Sequence, residues 1–251
     1  MNRIFNMDNK FFTFMGRIAD LIILNLLCIV CCIPIVTIGP AITAMFYVTM
    51  KMVRNEEAYI VKGFFHSFKA NLRQGIIINI ITLAAFIMLS LDISLVRVME
   101  GTMYKVLFYI FLVLLFLSML VYLYIYPVLA KFYNTIKRTF INAFLMSIRH
   151  LPYSILMIVI SLVPFAILFI PSFRVQSFLI MLFILMGGAT IAYINSCFLV
   201  KIFDKYIPEE EKEEKEETED GEWHMEENPE ETEQETDKTP KELPDTEDPS
   251  L

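Results

Sequence analysis

Long stretches of this sequence carry almost no charge. Between Ile18 and Met50 there is no Lys, Arg or Glu, and the single acid is Asp20. Glycine is scarce, at 8 of 251 residues, and there are only 3 His, 4 Cys and 1 Trp. Each shortage excludes something. No Gly-rich phosphate-cradling loop, no His-Glu-x-x-His and no Gly-x-Ser-x-Gly occurs. His66 and His150 have no neighbouring acid or Cys at metal or nucleophile spacing, so both read as interface residues. Cys28, Cys31, Cys32 and Cys197 all lie in apolar runs, whereas a secreted disulfide framework places its cysteines in polar loops. The Cys-x-x-Cys-Cys spacing has no His or acid beside it to complete a metal shell, so these thiols read as small packing residues. No catalytic, metal or cofactor-binding residue can be named, no cofactor is implied, and the chain is expected not to be an enzyme.

What is present is apolar mass. Hydrophobic residues make up 56% of the chain, with 22 Phe, 15 Met and a mean hydropathy of +0.56. Charge is segregated rather than sparse throughout. Residues 1–207 hold 17 Lys+Arg against 7 Asp+Glu, a net of +10. Residues 208–251 hold 4 Lys against 21 Asp+Glu, a net of −17, which together give the overall −7. A basic membrane body followed by a disordered acidic tail is the expected organisation, since the tail cannot bury enough apolar surface to fold. Its one apolar island is Trp223-His224-Met225. Beside membrane segments, basic loops are explained by the anionic inner leaflet, so the lipid bilayer is an expected partner and nucleic acid is not.

Five apolar runs reach the ~20 residues that cross ~30 Å of hydrocarbon as a helix: 18–38, 76–96, 104–126, 153–171 and 177–200. Backbone groups in hydrocarbon must bond internally, and the runs do not alternate as barrel strands do, so an all-α bundle follows. The segment 41–55 is shorter. The heptapeptide Pro34-Ile35-Val36-Thr37-Ile38-Gly39-Pro40 before it is a structural turn, with Pro34, Thr37, Gly39 and Pro40 as its key positions. If 18–53 forms a hairpin, 14 Lys+Arg of the body fall inside against Arg97, Lys105 and Arg174 outside. If only five helices cross, the count is 11 against 6. The hairpin is preferred, with both termini cytoplasmic. The expected fold is therefore a polytopic transmembrane helix bundle of five long spans plus a short hairpin arm. The segment before the first span, with Arg3, Lys10, Phe11, Phe12 and Phe14, reads as an interfacial lead-in rather than a signal peptide.

Two stretches read as basic amphipathic helices on the membrane surface. In 59–75, Ile60, Phe64, Phe68 and Leu72 form a stripe opposite Lys62, His66, Lys69 and Arg73. In 131–150, Phe132, Ile136, Phe140, Phe144 and Ile148 repeat the design beside Lys131, Lys137, Arg138 and Arg149. Phe68-x-x-x-Leu72-Arg73 matches Phe144-x-x-x-Ile148-Arg149 at an offset of 76 residues, which suggests a duplicated unit in one orientation. Pro127 is expected to end the third long helix, with Tyr122, Tyr124 and Tyr126 at the membrane interface. Pro164 is expected to kink the fourth, and Gly187-Gly188 to bend the last or admit a neighbour.

Polar residues inside the spans are the best functional pointers. Asn25, Asn79, Asp92 and Asn195 are the candidates for an intramembrane polar site. Against this stands a plainer reading. Asn25 then fixes helix packing through an interhelical hydrogen bond of about 0.6–2 kcal/mol. Asp92 then anchors the outer interface, within reach of Arg97.

Asn25-Leu26-Leu27, the run Ile33-Pro34-Ile35-Val36-Thr37-Ile38-Gly39-Pro40-Ala41, Phe65-x-x-Phe68-Lys69-x-Asn71, Tyr126-Pro127 and Asn142-Ala143-Phe144 together resemble the YesL-like family of bacterial integral membrane proteins. The resemblance covers roughly residues 5–205 and leaves out the acidic tail. It implies a multi-pass protein of the bacterial plasma membrane, a companion of carbohydrate import systems whose partners would be transporter subunits. It assigns no active residue. The leading expectation is a non-enzymatic accessory or regulatory protein. The alternatives are a small transporter or channel lined by the four polar residues, and a membrane enzyme acting on lipid-linked substrates.

Overall fold

The computed structural model describes residues 10–56, 59–132 and 134–206, with side chains from Phe12 onward. The lead-in residues Arg3 and Phe11, the acidic tail and its Trp223 island lie outside the described residues or side chains. Eight α-helices follow in order: α1 (Lys10–Cys31), α2 (Ile38–Arg54), α3 (Ile60–Val98), α4 (Thr102–Lys131), α5 (Ile136–Arg149), α6 (Leu151–Ala166), α7 (Phe173–Leu182) and α8 (Gly188–Phe203). Among the described residues there is no strand. The last two helices are joined by the π-helical turn Phe183–Gly187, so they run as one rod. Six helices or helix pairs are long and apolar enough to cross a membrane. The described part of a second unit, residues 204–206, is a turn.

The turn after α1 forms for local reasons. Pro34 cannot continue the helix hydrogen-bond ladder. The Thr37 hydroxyl, with one proton to share, lies 2.7 Å from the Cys31 carbonyl, an acceptor the ended helix leaves open, and 2.8 Å from the Pro34 carbonyl. A short 3₁₀ turn, Ile35–Thr37, then feeds α2. Arg17 near the start of α1 donates to Asn55 just past the end of α2, so the two helices form an antiparallel hairpin. Asn55 itself sits in the left-handed region, φ 59°, as a helix-terminating residue.

The short arm turns out to be the centre of the bundle. In α2, 61% of the most apolar window is buried, against 6–22% in the other five spans. Hydropathy could not foresee this, because it measures transfer from water and not contact between helices. The cause is side-chain size. Gly39, Ala41, Thr43 and Ala44 are all buried, and such small residues let neighbouring backbones close in. A Cβ on Gly39 would strike the Gly75 carbonyl oxygen and lie 2.9 Å from Asn79 Cβ. One on Gly75 would lie 2.8–2.9 Å from Pro40. These two glycines set the antiparallel contact of α2 with the first half of α3.

Several expectations are corrected. The stretch 59–75 does not form a separate surface helix, because α3 runs unbroken from Ile60 to Val98, 39 residues or about 58 Å. Its stripe also divides. Ile60 and Phe64 are buried, whereas Leu72 is exposed. A spacing of four residues advances 400° and drifts around a 3.6-residue helix. Pro127 does not end α4, which continues to Lys131 with Pro127 buried inside it. Tyr124 and Tyr126 are interior rather than interfacial, at 0% and 1% exposure. Pro164 lies within α6, which tightens into the 3₁₀ turn Ile167–Phe169 soon after.

The second amphipathic stretch gives a discrete helix, α5, but a shorter one than 131–150. Of the expected stripe only Phe144 and Ile148 are exposed, Ile136 and Phe140 being half-buried and Phe132 lying before the helix. Its packed face is Thr139, Ala143, Met146 and Ser147. The opposite face exposes Ile141, Phe144, Leu145 and Ile148, a spacing of 3, 1 and 3 that keeps one stripe in line. The two offset-related segments thus expose corresponding residues, Leu72 with Ile148 and Arg73 with Arg149. They differ at the junction. Gly75 lets α3 continue, while His150 leaves helical geometry ahead of Pro152 and separates α5 from α6.

Candidate functional site

The polar groups inside the bundle are spread over several joints. Asn25 is 3% exposed and meets the π turn between α7 and α8. Its Nδ2 donates to the Ile184 carbonyl at 2.7 Å, and its Oδ1 accepts from the Ala189 N–H at 2.9 Å. Those two backbone groups are five residues apart, the spacing of one π-helical hydrogen bond. The amide therefore bridges a donor and an acceptor that the widened turn holds apart. Gly188 makes room for it, since a Cβ there would lie 2.8 Å from Asn25 Oδ1.

Asn79, on α3, donates to the Ile35 carbonyl at 2.9 Å and accepts from the Tyr126 hydroxyl at 3.3 Å. It ties α3 to the Pro34–Pro40 turn region and to α4 at once. Asn195, on α8, donates to Ser161 Oγ of α6 at 3.2 Å, and its Oδ1 is buried with no partner. Asp92 lies half-buried in the far half of α3, and no ion pair joins it to Arg97 among the described residues. Asn25, Asn79 and Asn195 share no hydrogen-bond partner. Asn25 serves α1 with the α7–α8 joint, Asn79 serves α3 with α4, and Asn195 serves α8 with α6.

Further joints carried no motif. Thr49 of α2 and Ser196 of α8 share a hydrogen bond of 2.8 Å, both fully buried. Tyr124 of α4 and Ser154 of α6 are 2.9 Å apart, and Ser154 also reaches the Ser147 carbonyl of α5 at 2.9 Å. Arg17 donates to the Tyr193 hydroxyl at 3.0 Å besides its bond to Asn55, so one guanidinium spans α1, α8 and the end of α2. The orphan carbonyls that end α2 carry partial negative charge, which suits a cation there. The available signal in the sequence was only that small hydroxyls and tyrosines recur inside apolar runs. In hydrocarbon each of them needs a partner.

No group of three or more His, Cys, Asp or Glu that could hold a metal occurs among the described residues. The sulfurs of Cys28 and Cys32 lie 3.9 Å apart as free thiols, one turn of helix from each other.

Fold and joints define an all-α membrane protein whose internal polar groups lock helices together. A family described as a protein of unknown function, DUF624, matches residues 21–93, from α1 through most of α3. That segment contains the Pro34–Pro40 turn, the Gly39–Gly75 contact, Asn25 and Asn79. No curated protein and no solved structure matches the chain.

Proposed function

We propose that this chain is a non-enzymatic accessory or regulatory subunit of a transport system in a bacterial plasma membrane, with carbohydrate as the cargo class. The matched family over residues 21–93 is read here as the YesL-like group. The observation that carries the reading is the dispersal of the intramembrane polar groups. Asn25, Asn79 and the Thr49–Ser196 pair are each occupied in joining helices, which is what a scaffold needs. A permeation path would instead gather such groups on one cavity. The exposed stripe of α5, flanked by Lys137, Arg138 and Arg149, suits the anionic inner leaflet, and the acidic segment 208–251 would act as a tether to the partner. Both termini are then cytoplasmic.

A second reading, a small transporter or channel, is favoured by one observation: the buried, unpartnered Oδ1 of Asn195. A mild-detergent pull-down from native membranes separates the two. Stoichiometric recovery of transporter subunits, lost on deleting residues 208–251, supports the accessory role and places the contact on the tail. Recovery of the chain alone from both forms overturns it.

A further inference from the structure

A small cavity of about 40 Å³ opens where the end of α4 meets α2 and the first half of α3. A water needs about 10–15 Å³ of such space, so it holds roughly three. A tetrahedral oxyanion displaces about that many. Its polar lining comes from three helices: Tyr47 of α2, His66, Ser67 and Asn71 of α3, and Lys131 of α4. The hydrogen-bond arrangement is one-sided. Ser67 is 2% exposed, and its Oγ accepts from Asn71 Nδ2 at 3.3 Å but donates to no described residue. The Tyr47 hydroxyl and the His66 ring likewise donate to no described acceptor. Three donors line one cavity, of which Ser67 is buried, Tyr47 half-buried and His66 exposed. A buried hydroxyl proton without an acceptor is costly, and a bound acceptor removes that cost.

Charge decides what kind of acceptor fits. Leu129, Ala130, Lys131 and Phe132 also line the cavity, and the last carbonyls of α4 contribute about half a negative charge there. Against this stand Lys131 in the lining, and Lys62, Lys69 and Arg73, exposed on the same face of α3 as His66. Lys51, over the Tyr47 ring at 5.7 Å, adds to them, although Glu56 lies 3.7 Å from it. Cations outweigh the helix end. We infer that this cavity, lined by Tyr47, His66, Ser67, Asn71 and Lys131, is a binding site for a phosphate-type oxyanion, from a phosphomonoester lipid headgroup or from free phosphate.

The test uses the full-length chain in phosphatidylcholine nanodiscs and follows its unfolding temperature. One arm titrates inorganic phosphate, and the other replaces part of the lipid with phosphatidic acid. Ligand bound only by the folded state raises the unfolding temperature saturably. Stabilisation by phosphatidic acid alone assigns the headgroup, and stabilisation by inorganic phosphate assigns the free anion. In either case Ser67→Ala is expected to weaken binding roughly tenfold or more, the worth of a hydrogen bond to a charged group. Tyr47→Phe, which removes only a hydroxyl, does the same if Ser67→Ala fails to fold. Lys105→Gln, in the first turn of α4 at the far end of that helix from Lys131, leaves binding unchanged. Absence of saturable stabilisation in both arms, or undiminished binding in folded Ser67→Ala and Tyr47→Phe, overturns the assignment.

Discussion

Asn25 and Ala189, 164 positions apart in the chain, are joined by a 2.9 Å hydrogen bond in which a side-chain oxygen replaces a helical carbonyl. The pairing ties a wide turn in one helix to the middle of another. Asn25→Leu would leave both the Ala189 N–H and the Ile184 carbonyl without their side-chain partner. The expected loss is about 1–2 kcal/mol, the upper part of the range for polar contacts in membranes. Denaturant unfolding in mild detergent checks it. Gly188→Ala is expected to lose stability too, because its Cβ would crowd the same oxygen.

Gly75→Ala tests the seat of α2. The new methyl would sit 2.8–2.9 Å from three Pro40 atoms, one of them backbone, so one helix must move. Overpacking of this kind costs about 1–3 kcal/mol. Gly63→Ala is the internal comparison: its Cβ meets Val48 at an ordinary 3.7 Å. There the gain in helix propensity should leave stability unchanged or slightly raised. Thermal melting of the two variants side by side is the measurement. Equal losses would mean that α2 is not seated through Gly75.

Arg17→Met removes the donor that Asn55 and Tyr193 share. Both acceptors are neutral, so the loss, about 1 kcal/mol, should depend little on ionic strength. Melting curves at low and high salt test this. A loss that disappears at high salt would point instead to an ion pair.

Pro127→Ala should be tolerated. The helix already continues past this residue to Lys131, and the restored N–H can bond within α4. An unchanged or higher melting temperature is expected. A marked fall would show that the proline ring itself is needed where it packs, between Tyr126 and Val128.

How far these features were legible in the sequence follows from what each kind of pattern measures. Hydropathy runs locate helices, because the cost of unsatisfied backbone groups in hydrocarbon is large and local. It missed the role of α2, whose buried Gly39, Ala41 and Ala44 give it modest hydropathy and close contact together. A stripe spaced by four is a poor guide over four turns, as Ile60 and Leu72 show by lying in different surroundings. The second stripe, also spaced by four, drifts in the same way: Phe144 and Ile148 are exposed on α5, whereas Ile136 and Phe140 are half-buried and Phe132 lies before the helix. Asn25 was recognisable as a polar residue in an apolar helix. Its partners were not, since Ile184 and Ala189 act through their backbones and leave no chemical mark. The cavity at Ser67 was hidden for a related reason: its donors come from segments that only the packing of α2, α3 and α4 brings together.

The most direct test of the central claim, that the buried polar groups serve as joints of an accessory subunit, is the stoichiometry of what co-purifies with tagged wild-type chain and Asn25→Leu. Both are extracted from native membranes below the variant's unfolding temperature. The account predicts transporter subunits at the same ratio with each. Recovery of the chain only as a monomer or homo-oligomer, with solute flux in vesicles that Asn25→Leu abolishes, would contradict it.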